Sequence, residues 1–322
     1  MKRNCINRII LSLLLATSGA MAQTVFTPGV LRYQVWTSDE NPNGLSNPSR
    51  VQIENGQAGT PHTDDTTTLT SFDTPFDHAD NFGDRVSGLF IPPVTTNYVF
   101  YISADDDADL FLSTDASPEN KRLIAQEAVW SGHLSWTSVG SGDNAMRSSA
   151  TFKDSTGATP FKNGIPLVAG QKYWIEAVHH EGTGGNSLAA TYTFVGEPTP
   201  ANGTATKITG DQIGYGYTIP TSFTVKTQIQ NASTYLGSAA SFRFEVANPL
   251  PDPLIYTWYK NGSVVSNVTG LNYTLLASAA DNGAQVYCVV TVPESYNSTM
   301  TTTSAVATLT VNTSPTYYTN GL

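Results

Sequence analysis

The chain has 322 residues, of which 16 are basic and 26 acidic, for a net charge of −10. A polyanion binds nucleic acid or an acidic membrane surface only through a local basic patch, and this sequence has none. Two cysteines, Cys5 and Cys288, exclude a disulfide-built scaffold, so stability must come from apolar cores.

The first element in chain order is "MKRNCINRIILSLLLATSGAMAQ", with Lys2, Arg3 and Arg8 ahead of an apolar run and Ala-Met-Ala behind it. It reads as a secretory signal over residues 1–22, cut between Ala22 and Gln23. The apolar run is too short to span a bilayer, so no membrane insertion is expected. Cys5 precedes that run and cannot be lipidated after the cut, which leaves Cys288 as a lone thiol. Without residues 1–22, 13 basic side chains face 26 acidic ones, a net charge of −13. The expectation is a secreted or cell-surface protein of about two domains.

Short runs of alternating apolar character follow, among them "NYVFYIS", "KYWIEAV", "ATYTFV", "FRFEV" and "ATLTV", separated by Gly, Pro, Asn and Asp. They predict an all-β fold, with "NKRLIAQE" at residues 120–127 as the one helix candidate beyond a turn or two. Between two of the strands lies "ISADDDADLFLS", where Asp105, Asp106, Asp107 and Asp109 crowd four carboxylates into five residues. A turn needs one or two such residues, so either a cation is held here or the loop is a solvated acidic turn. Strand alternation puts Asp107 and Asp109 on one face, opposite Ala108 and Leu110, so the four cannot all converge.

Trp130 and Trp136 in "WSGHLSW" can stack on sugar rings or pack beneath their own loop. Further on, "HHE" at His179, His180 and Glu181 suggests metal chemistry, but adjacent histidines on a strand face opposite sides. With no HExxH and no second His or Cys pair at zinc spacing, no zinc site is expected. Nor is an enzyme expected. The chain lacks G-x-S-x-G and a Ser-His-Asp arrangement, and its acids gather at a loop instead of facing each other across a cleft.

Residues 198–222 break the strand pattern with Pro, Gly and Thr and read as a linker between a domain at 23–197 and another at 223–312. In the second, "LIYTWYKNGSVV" is a strand with inward Trp258, a tight turn at Asn261-Gly262 and a return strand. Asp281 and Gly283 mark a corner ahead of a strand that carries Cys288. The tail, residues 313–322, carries no recognisable sorting signal, as in a piece of a longer surface protein.

Three blocks of the first half, "VLRYQVW", "RVSGLFIPPVTTNYVFYISADDDADLFLS" and "GIPLVAGQKYWIEAVHHEGTGGNSLAATYTF", together resemble a PA14 domain. The resemblance implies a β-sandwich of a kind found in bacterial toxins, glycosidases and yeast adhesins. It also implies that Asp105 and Asp106, joined by a cis peptide, ligate Ca²⁺ as in the sugar-binding members. A residue of the late hairpin completes that shell; it falls on Glu181, with Asn186 the alternative register and Asp107 a further candidate. Ca²⁺ takes six to eight oxygens from carboxylates and carbonyls, and a Gly-rich loop lets carbonyls turn inward, which agrees. The implied partner is a glycan or glycoconjugate, with Trp130 and Trp136 beside it. A purely structural spacer module is the competing reading. The second half resembles an immunoglobulin-like domain in which Cys288 stands at the strand-F position. Phe242, Phe244 and Val246 replace its usual disulfide partner, and Val286 replaces the usual tyrosine. That resemblance implies a spacer or binding arm and no chemistry.

Overall fold

The computed structural model describes residues 23–37, 44–59, 61, 67–137, 144–219, 221–248, 250–293, 298 and 300–313. The expected signal segment and, apart from Thr313, the expected tail lie outside the described residues. Those described are almost entirely strand, loop and turn, and the protein is all-β. No helix among them is long and apolar enough to cross a membrane.

Among the described residues, eleven strands build the first sandwich. They are β1 (Gln23–Pro28), β2 (Leu31–Trp36), β3 (Thr67–Leu69), β4 (Phe82–Phe90), β5 (Thr96–Asp105), β6 (Asp107–Ser113), β7 (Lys121–Glu127), β8 (Ile165–Leu167), β9 (Tyr173–Glu181), β10 (Ser187–Phe194) and β11 (Ile213–Ile219). The larger sheet runs β1-β11-β4-β9-β6-β7, with β2 beside β4 and β3 beside β2, and the smaller runs β10-β5-β8. Alternation aims Val86 and Phe90 of β4, Ile175 and Ala177 of β9 and Leu110 of β6 at Phe100 and Ile102 of β5 and Tyr192 of β10. A one-turn helix, α1 (Arg50–Glu54), covers the outer face of the large sheet through Ile53.

The expected helix at 120–127 is β7 instead. Its register against β6 slips between Leu110 and Phe111, so that Ile124 is an extra residue and the apolar alternation is lost there. The expected linker also differs. Ile208 and Ile213 belong to the first core, and β11 pairs with β1 along six residues and with β4 at Phe90 and Leu89. Its glycines mark close approach, since a Cβ on Gly214 would collide with the Phe26 ring.

The second sandwich contains β12 (Val225–Thr227), β13 (Ala232–Tyr235), β14 (Ala239–Arg243), β15 (Glu245–Val246), β16 (Ile255–Lys260), β17 (Ser263–Val264), β18 (Asn272–Leu276), β19 (Gln285–Thr291), β20 (Thr301–Thr303) and β21 (Ala307–Asn312). One sheet runs β13-β21-β19-β16-β17 with β20 on β19, and short pairs β14-β18 and β12-β15 oppose it. Trp258 is fully buried, stands in register with Cys288, and donates its indole N–H to the Gly270 carbonyl at 2.9 Å. Phe242, Phe244 and Val246 fill the core beside them. Asn261 and Gly262, both at positive φ, make the turn between β16 and β17.

The two bodies share β11, which begins in the first core at Ile213 and ends in the second at Ile219. On the flank of the large sheet, Arg32 of β2 and Arg85 of β4 both reach Asp252 of the second sandwich, at 2.6 and 3.3 Å.

Candidate functional site

Two connections cross between the sheets of the first sandwich at the same end. One joins β5 to β6 through Asp106, and the other joins β9 to β10 through residues 182–186. A chain leaving one sheet for the other cannot keep its ladder hydrogen bonds, so polar side chains and glycines collect here. The Asp105–Asp106 peptide is cis.

Asp105, Asp106 and Glu181 converge at this crossing, with one carboxylate oxygen of each within 4.8 Å of the others. Among the described residues they form the one such group of metal-ligating side chains. Asp105 and Asp106 are half-buried, whereas Glu181 is 0% exposed. Neither carboxylate oxygen of Glu181 has a hydrogen-bond partner of good geometry, although the Asp106 amide lies near enough to favour its charged form. Burial and the Asp106 charge push Glu181 up to about 7 and Asp105 up to about 6. The 182–186 loop closes against both aspartates. The Gly182 amide donates to Asp106 Oδ2 at 3.0 Å, and a Cβ on Gly185 would lie 3.3 Å from Asp105 Oδ2.

This donor set fits a hard divalent cation. It offers carboxylate oxygens with neither thiolate nor imidazole among them, and a buried carboxylate without a partner is costly to keep. Ca²⁺ suits it better than Zn²⁺, which prefers nitrogen and sulfur.

The other expected site residues lie elsewhere or are already engaged. Asp107 points to the outer face of the large sheet, where His180 and Arg50 hold it at 3.0 and 3.2 Å, so it is turned away from the triangle. Asn186 spends both ends of its side-chain amide on a neighbouring loop. Its Nδ2 donates to the Ala79 carbonyl at 2.7 Å, and its Oδ1 accepts from the His78 amide at 3.3 Å. It clamps that loop, and it is not among the three carboxylates that converge. Trp136 is also corrected, being 2% exposed, packed on Val99, Tyr101 and Ala189, and bonded to the Thr204 carbonyl. No ligand can reach its ring. Trp130 is 42% exposed and bridges to the Asp105 backbone.

Two features were not expected from sequence. The ring of Phe76, 58% exposed, stacks on His133 at 4.8 Å, and His133 is held by Asp73 at 2.8 Å. Phe76 belongs to a segment stapled to the 182–186 loop by the bond from Asp77 N–H to the Asn186 carbonyl and to β10 by the bond from Leu188 N–H to Thr74 Oγ1. The second is a buried chain beneath the carboxylates, in which His179 lies 3.1 Å from Asp84 and 2.8 Å from the Asp105 carbonyl. Burial disfavours the charged imidazole, but the Asp84 carboxylate outweighs it and holds His179 above the usual histidine range.

Comparison with known proteins adds three relationships. The chain is 32% identical to fibrocystin of Canis lupus familiaris over 105 residues, 33% of this chain, and 31% identical to fibrocystin of Mus musculus over 101 residues. Each match spans 2% of fibrocystin. Among solved structures, the epithelial adhesin 6 A domain of Candida glabrata, in complex with Galb1-3GlcNAc, is 15% identical. It covers 59% of this chain and 88% of its own, at a TM-score of 0.36. The family model of the PA14 domain matches residues 32–201, more than half of the chain. This protein belongs to the PA14 domain family.

Proposed function

We propose that the protein is an exported, non-catalytic carbohydrate-binding module whose binding head is the PA14 sandwich and whose ligand contact depends on Ca²⁺. The observation that carries the reading is Glu181, a fully buried carboxylate without a good partner, aimed at Asp105 and Asp106. These three side chains would hold the ion, and the 182–186 loop lying against both aspartates supplies nearby backbone. Bound Ca²⁺ would offer open coordination positions to two vicinal sugar hydroxyls. Trp130 and the Phe76–His133 stack give apolar faces on the flanking segments for the C–H face of a ring.

The second sandwich, with Trp258 against Cys288 and the phenylalanines opposite, is best read as an immunoglobulin-like buttress that takes no part in the chemistry. Export through residues 1–22 places the module outside the cell. A shallow site of this kind binds a single sugar weakly, so adhesion relies on several copies or on a longer chain.

Calorimetric titration of the mature chain with Ca²⁺ should give one site, abolished in Asp106→Ala. A glycan array run with Ca²⁺ and with chelator should show signal only with the ion. An Asp105→Ala/Asp106→Ala protein that binds Ca²⁺ as wild type does would remove the site. Folded, Ca²⁺-loaded protein that is silent on the array would leave a structural spacer as the function.

A further inference from the structure

Beneath the carboxylate triangle a polar chain runs through otherwise apolar packing. Tyr33 Oη donates to Asp84 Oδ2 at 2.9 Å, Asp84 Oδ1 faces His179 Nδ1 at 3.1 Å, and His179 Nε2 faces the Asp105 carbonyl at 2.8 Å. Tyr33, Asp84 and His179 are 3%, 1% and 1% exposed, and the Phe82 ring meets the imidazole edge-on at 5.8 Å. Asp84 and His179 stand directly opposite each other in the β4–β9 ladder, on the face that elsewhere carries Val86, Ile175 and Ala177. An aliphatic pair at those positions would fill the core without desolvating a carboxylate and an imidazole. The chain ends on one atom of consequence, the carbonyl of Asp105.

We infer that His179, oriented by Asp84 and Tyr33, is a positioning residue for the cation site. Its Nε2–H holds the Asp105 carbonyl toward the core, which fixes the plane of the Asp105–Asp106 peptide and so the aim of both carboxylates. Asp84 accepts from the opposite ring nitrogen and so fixes the ring's orientation, and Tyr33 occupies the second oxygen of Asp84. Ligands held by such an outer layer typically lose ~10–100-fold in metal affinity when it is removed. The inference rests on the cation reading of the site for its affinity readout, but not for its structural one.

The test uses the mature chain with His179→Phe, which keeps a ring and removes both nitrogens, His179→Gln, whose amide can still donate to the carbonyl, and Tyr33→Phe. Two quantities are read on protein whose near-ultraviolet circular dichroism is native. One is the Ca²⁺ dissociation constant. The other is the exchange rate, in chelator, of the Gly182 amide, whose partner is Asp106 Oδ2. His179→Phe should weaken Ca²⁺ binding ~10–100-fold and speed Gly182 exchange, His179→Gln should recover part of both, and Tyr33→Phe should show a smaller loss. Wild-type exchange and affinity in folded His179→Phe would overturn the inference. If that variant does not fold, wild-type values in Tyr33→Phe would overturn it equally. Absence of Ca²⁺ binding in the parent chain would defeat the proposed function alone, and the Gly182 exchange rate would then decide this point without it.

Discussion

Burial pushes the Cys288 thiol up to about 12, and it lies fully inside the second core beside Trp258. A thiol so placed is a small apolar side chain and carries no nucleophile. Thiol labelling should be slow in native protein and complete after denaturation; rapid native labelling would mean that the strand carrying Cys288 is placed wrongly. Glu54 gives a prediction in pH. Burial, a hydrogen bond with Asp109 and repulsion from it push Glu54 up to about 8. The folded chain therefore holds a proton that the unfolded chain releases near the ordinary value, and stability falls as pH rises from about 4.5 to about 8. Glu54→Gln removes that dependence, so its melting temperature should gain on wild type between pH 5 and pH 8. A constant difference across that interval would refute the assignment. Some residue placements could be read in the sequence and others could not. The acid run pointed to Asp105 and Asp106 and the family pattern to Glu181, and the three do converge. Asp84 is 95 residues from His179, so only the β4–β9 register brings them together. The available signal was Asp84 itself, a charge at an inward position between Phe82 and Val86.

At the scale of elements, the segment 130–136 is a strap across the small sheet. It is tied to β5 by the bond from Ser131 N–H to the Ala104 carbonyl and reaches Asp73, beside β10, through His133. Its two tryptophans divide the labour. Trp136→Ala should cost about 3–5 kcal/mol of stability, because it empties a buried site. Trp130→Ala should stay within about 0.5 kcal/mol and lower glycan affinity instead. Chemical denaturation of both variants checks the contrast, and equal destabilisation would contradict it. Strands with clean alternation were legible, whereas β7 was not, because its bulge erases the period. For β11 the glycines that permit close packing on Phe26 carry the same signature as a flexible linker. Turn chemistry at Asn261-Gly262 was the most transparent local feature.

For the whole molecule, the shared strand and the Arg32–Asp252–Arg85 cluster make the two sandwiches dependent on each other. Gln34 completes the cluster by accepting from Arg85 Nε at 2.9 Å. Calorimetry of the chain without residues 1–22 should show one transition, and Asp252→Ala should broaden or split it, since Arg32 and Arg85 lose the carboxylate facing them while β11 and the Lys226–Glu119 ion pair remain as ties. Two transitions already in wild type would show that the bodies melt independently. The presence of two β bodies was evident from composition and strand spacing, but their junction was not, because ion pairs between residues 220 and 167 positions apart leave no local trace.

On the proposed adhesive function, the pairing of β1 with β11 has a mechanical meaning. A tug on the C-terminal sandwich reaches the head through the covalent path of β11, whose ladder with β1 runs along the pull while its six register pairs lie across it. Loaded lengthwise, such a ladder shares tension among all its rungs, whereas a ladder pulled from one end surrenders them singly. An attachment made through the proposed head would then last, under flow, for a time set by the rate at which this strand shears out of its sheet.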